Sequence, residues 1–109
     1  MKDDNVIELE KNKNNLVLKF SKPYVFEGES FTQIDLSGLE NVNAEQMIAT
    51  SKYLNKQGSF SILPEMTLEY ACFMASSVTG KPVEFFRQLP AKEAMKLKNR
   101  VQNFIYGED

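Results

Sequence analysis

Glu65, Glu69 and Cys72, all within PEMTLEYACFM, are the residues from which this sequence could best assemble an acid, a base or a nucleophile. The two carboxylates stand one helical turn apart, close enough to share a proton or grip a cation. The thiol must ionise to react, and the chain has no histidine to take its proton. That absence also removes histidine-based triads and histidine metal ligands. Cys72 is the single cysteine, which excludes an intramolecular disulfide or a zinc cluster. It reads more simply as a small buried residue. The glycines are dispersed singly, so no loop is built to cradle phosphate. Glutamates at this spacing are common on solvated helices, and a carboxylate or cysteine enzyme therefore ranks behind the binding readings. No catalytic residue, cofactor or metal ligand is expected.

The second candidate chemistry is electrostatic. Lys92, Lys96 and Arg100 recur every fourth residue, within a stretch from Lys81 to Arg100 that carries six cations against two anions. From Glu27 to Glu45 there are five anions and no cation. A small nucleic-acid-binding regulator using the basic ridge is one alternative. Against it stand a net charge of -2 and the lack of aromatics interleaved with the ridge, which also disfavour an anionic membrane. A solvated helix face is the plainest reading. A third is that the opposite poles orient contacts between copies, or with a charged helical client.

These residues need elements to hold them. A chain of 109 residues is most simply one domain with a modest core. Its 42% apolar and 26% charged residues fit a globular protein. No apolar run approaches the roughly 20 residues of a spanning helix, and the polar start MKDDN does not read as a signal peptide. These features predict a cytoplasmic protein. Residues 1–15 read as a mobile polar arm with Val6, Ile7 and Leu9 as an apolar island. Residues 16–109 then form a single domain. In LVLKF, Leu16, Leu18 and Phe20 alternate as in a strand, and Glu27-Gly28 turns the chain into FTQIDL.

Helices follow. Asn43 and Gln46 predict a capping box for a helix from Ala44 to about Lys56, with Ala44, Met47, Ile48 and Leu54 on one side and Gly58 beyond its end. A second helix is expected from Pro64 or Glu65 to Thr79, stopped by Gly80. A short third lies between Pro82 and Leu89, and a last one runs from Ala91 to about Tyr106. In the last, Ala94, Leu97, Val101, Phe104 and Ile105 form a buried stripe. The predicted fold is α+β and mainly α: a short N-terminal β-hairpin or meander over 16–36, then about four helices over 43–107.

Two apolar surfaces exceed what so small a chain obviously needs. On the second helix the apolar side chains sweep roughly 260°, which means a central helix or one covered by another chain. Tyr70, Phe73 and Met74 are the candidate partner residues there. On the short helix Phe85, Phe86 and Leu89 share one side; one ring is expected in the core and the other near the surface.

Read as wholes, two blocks resemble a known family. They are YVFEGESFTQIDLSGLENVNAEQMIAT (Tyr24 to Thr50) and SILPEMTLEYACFMASSVTGKPVEFFRQLPAKEAMKLKNRVQNFIYG (Ser61 to Gly107). They are similar to the tail assembly chaperones of long-tailed phages and prophages of Gram-positive bacteria. The most recognisable pieces are FEG, IDLSGLENV, LPEMTLEYA, TGKPVEFFRQLPAKEA and KNRVQNFIYG. The resemblance implies a non-enzymatic protein that binds the aggregation-prone tape measure protein in the host cytoplasm and is absent from the finished particle. It also implies a longer, frameshifted product that recruits tail tube subunits. Self-association into an oligomer is expected alongside it. The resemblance supplies no short motif for client contact, so the candidate partner residues remain Tyr70, Phe73, Met74, Phe85, Phe86, Leu89, Lys92, Lys96 and Arg100.

Overall fold

Glu27 and Gly28 both adopt positive φ, 51° and 82°, as the tightest two-residue hairpin turn requires. Glycine takes that conformation without a Cβ clash, and the chain folds back on itself as a result. In the computed structural model, which describes residues 16–58 and 61–107, the turn joins strands β1 (Val17–Phe26) and β2 (Glu29–Asp35). The polar arm expected over 1–15 lies outside the described residues. The hairpin is antiparallel, and four helices follow: α1 (Ala44–Lys56), α2 (Leu68–Thr79), α3 (Val83–Arg87) and α4 (Ala91–Tyr106). The fold is α+β and mainly α.

The hairpin is not regular. Val17, Leu18 and Lys19 pair with Asp35, Ile34 and Gln33, whereas Tyr24, Val25 and Phe26 pair with Phe31, Ser30 and Glu29. Between these ladders Phe20 to Pro23 face Thr32 alone, a bulge of three extra residues on β1. Pro23 is tolerated inside the strand because the bulge takes it out of the ladder. An odd-numbered shift also changes which parity of β2 faces inward. Ile34 therefore joins Leu18 in the core, while Phe31 joins Tyr24.

A 3₁₀ turn at Ser37–Asn41 leads from β2 across α2. Gly38 passes so close that a Cβ there would lie 2.9 Å from the carbonyl oxygen of Val78. The capping box then starts α1. Asn43 N–H donates to Gln46 Oε1, and Gln46 N–H donates to Asn43 Oδ1, both at 3.0 Å. The next helix starts later than the sequence pattern suggests. Pro64–Met66 is a separate 3₁₀ turn, and Thr67 divides the segment. Its hydroxyl donates to Pro64 O and accepts from Tyr70 N–H, closing the turn and capping α2.

α2 occupies the centre. Tyr70, Ala71, Cys72, Met74 and Ala75 are all buried, and α1, α3, α4 and both 3₁₀ turns pack around it. Most of its wide apolar arc is thus covered by its own chain, with Phe73 half-buried and Leu68 exposed. The hairpin joins this assembly through Phe85 of α3. The Phe85 ring meets Tyr24, Phe26, Phe31 and Phe86 edge-on at 4.9–5.2 Å, and Tyr24 Oη donates to the Phe85 carbonyl at 2.7 Å.

Three residues of the expected inward faces lie outside, Ala44 at the first turn of α1 among them. Ile48 is 54% exposed because α1 packs along Met47 and Leu54, leaving Ile48 on the flank. Phe104 is exposed because α4 outruns the sheet; Arg100, one turn earlier, already faces Val17 at the start of β1. With both rings of the Phe85-Phe86 pair only 1% exposed, alanine at either position should cost about 3–5 kcal/mol, measured by urea denaturation.

Candidate partner-binding surface

Most of the expected partner residues belong to the core. Tyr70, Met74, Phe85 and Phe86 are 0–1% exposed and Leu89 is 7% exposed. This corrects the expectation of a partner face on α2 and α3: the same apolar arcs that a client could cover already bury one another. It also removes the division of labour between the two phenylalanines, since neither ring reaches the surface.

Phe73 is the exception. Half-buried, it packs edge-on against Tyr53 of α1 at 4.8 Å, and the Arg87 guanidinium lies 5.0 Å above its ring. Arg87 also pairs with Glu69 at 2.9 Å. Phe73 and Tyr53 line an open groove of about 330 Å³ between α1 and α2, together with Ala49, Thr50, Ser76 and Ser77.

The basic ridge serves the fold. Leu36 N–H donates to Leu16 O, so even-numbered positions of that ladder bond across the hairpin and odd-numbered ones face its outer edge. Three α4 side chains meet that edge. Arg100 donates to Val17 O at 3.3 Å, Lys96 donates to Lys19 O at 3.1 Å, and Glu93 accepts from Ser21 N–H at 2.9 Å. Helix and strand run in opposite directions, which matches 93, 96 and 100 to 21, 19 and 17. Lys96 and Arg100, both half-buried, thus make internal ties to β1, and Lys92 is exposed.

Glu93 is the buried charged residue of this seam, 5% exposed. Lys96 Nζ lies 3.2 Å from its Oε1, so the charge is paired. Sequence reading missed Glu93 because a glutamate in a lysine-rich helix looks like a surface residue; only the bulged N–H of Ser21 gives it an internal role.

The groups that could do chemistry are engaged or shielded. Glu65 accepts from the Tyr106 hydroxyl, and Glu69 holds Arg87. Burial pushes the Cys72 thiol up to about 11, despite Arg87 nearby, with Glu69 adding to the rise. Burial, with Glu65 and Tyr106, pushes the Tyr70 hydroxyl up to about 12. Among the described residues no group of three potential metal ligands stands together, and no helix is long and apolar enough to cross a membrane.

What remains open is a surface the helical patterns did not reveal. Ile62 is 96% exposed, and Leu63, Met66 and Leu68 are exposed beside it. The end of α4 borders this loop: Gln102 Nε2 donates to Met66 O at 2.7 Å, and the Tyr106 hydroxyl donates to Glu65. Tyr106 is itself exposed. A readable signal existed in SILP, an apolar pair placed in a connection that ordinarily carries polar residues.

Two outcomes follow from these contacts. Burial raises the Glu93 carboxyl, but Ser21 N–H and Lys96 outweigh that and hold it below its ordinary 4.5. Its stabilising contribution is present above that value and fades as pH falls through the lowered one. Glu93→Gln should thus flatten part of the acid limb of a stability-versus-pH curve followed by urea titration. The Tyr70 hydroxyl is buried with no hydrogen-bond partner among the described residues, so Tyr70→Phe should leave stability unchanged or raise it by up to about 1 kcal/mol, read by the same titration.

Comparison with family models, with curated proteins and with solved structures finds no match to this chain.

Proposed function

We propose that this protein is a phage tail assembly chaperone that binds the tape measure protein and keeps it soluble while the tail is built, without remaining in the virion. The observation that carries the reading is the exposed apolar loop of Ile62, Leu63 and Met66, continued by Leu68 and Tyr106. An isoleucine held almost wholly in water contributes nothing to the fold. Grouped with neighbours of the same kind, it marks a surface suited to a partner.

A tape measure protein is a long helical client whose apolar stripes are exposed before the tube encloses them. A small apolar patch with charged surroundings covers such stripes reversibly, which suits a holding role better than a large dry interface. Self-association and a longer, frameshifted product that recruits tail tube subunits complete this reading, as does action in the bacterial cytoplasm. The nucleic-acid alternative loses support because Lys96 and Arg100 tie α4 to β1.

Co-expression with the tape measure protein tests the proposal. The client should become soluble and co-purify. Ile62→Asp should leave folding intact and lower client recovery by about tenfold, as for loss of one interface anchor. A well-folded chain that neither binds nor solubilises the client would overturn the reading.

A further inference from the structure

The two edges of the hairpin are treated differently. The β1 edge is closed by Glu93, Lys96 and Arg100 of α4. In the same ladder Gln33 and Asp35 turn their backbone groups to the opposite edge, since Leu18 pairs with Ile34 and Leu36 bonds to Leu16. Among the described residues no side chain or backbone group of another element bonds to them there. Of the usual protections of an edge, β2 has only its charged ends, Glu29 and Asp35: it contains no proline and no lysine, and the bulge lies on β1. Ser30, Thr32, Gln33 and Asp35 are exposed along it.

We propose that the outer edge of β2 docks an extended, cationic segment of a partner protein by strand addition. The backbone groups of Gln33 and Asp35 supply hydrogen bonds, and charge selects the occupant. Glu29 and Asp35 bracket the strand, Glu27 and Glu40 flank it, and no cation occurs from Glu27 to Glu45. The cations near the strand stand away from its open edge: Lys19, opposite Gln33, is one strand further in, and Lys81 Nζ lies 4.5 Å over the Phe31 ring, on the face that packs on Phe85. A second copy is a poor occupant, because antiparallel pairing of two β2 strands sets Glu29 against Asp35 at both ends. The chain's own DDNVIELE is equally acidic. A segment with lysine or arginine at alternate positions meets both requirements. This site is separate from the apolar loop and does not depend on the identity of the client held there.

The test uses the full chain, isotope-labelled, with amide hydrogen exchange read residue by residue. The probe is a synthetic peptide of alternating threonine and lysine; the control replaces every lysine by glutamate. The lysine peptide should slow exchange at Gln33 and Asp35 by about tenfold, and the control should not. Gln33→Pro removes an edge donor outside the hairpin ladder and should abolish that protection with thermal unfolding unchanged. Should that variant fail to fold, Glu29→Lys provides the second reading and should weaken binding. Four results overturn the proposal: no binding of the lysine peptide, equal binding of both peptides, binding without protection of these amides, or amides already protected in the free chain.

Discussion

α2 must bury more than half of its circumference, leaving Glu69, Ser76 and Ser77 on its open side, and the arrangement of the other elements follows from that constraint. Its side chains Tyr70, Ala71, Cys72, Met74 and Ala75 point in several directions, so a single neighbouring element could not cover them. Each large side chain hidden from water stabilises the fold by about 1.5–3 kcal/mol, a strong incentive in a chain this short. α1, α3, α4 and the two 3₁₀ turns supply the cover. The hairpin then docks on the outside of this assembly through the Phe85 ring and the α4 ties. The close passage of Gly38 over Val78 belongs to the same wrapping.

That solution reassigns the surfaces on which function could rest. Apolar arcs that look excessive in one helix are needed once the helix is central. Cations that look like a footprint become ties to a strand edge. Among the surfaces left over are the apolar loop before α2 and the outer edge of β2. One offers apolar area and the other offers backbone hydrogen bonds in an acidic setting. Their chemistries differ enough to engage different segments of a partner.

Local chemistry was legible in the sequence, and geometry between elements was not. The Glu27-Gly28 turn, the Asn43–Gln46 box and the helix ends at Lys56, Thr79 and Tyr106 are set by residues close in the chain, and they stand where the pattern puts them. The bulge at Phe20–Pro23 has no comparable local code, so the parity change on β2 and the burial of Glu93 could not be read. Ile48 and Phe104 show the same limit. A helical wheel shows which residues share a side, but not how far the neighbouring element extends. For the candidate site the wheels selected apolar side chains by helical position and so favoured the core. Ile62 and Leu63 lie outside any helix and gave no periodic signal.

The most direct measurement is amide hydrogen exchange of this protein alone and in complex with the tape measure protein. If the loop is the client surface, new protection should appear from Ile62 through Leu68 and at the C-terminal end of α4, with the amides of α2 beyond its first turn and of α3 unchanged. Altered exchange centred on Tyr70, Met74, Phe85 and Phe86 instead would contradict the account, because client binding would then require the core itself to open.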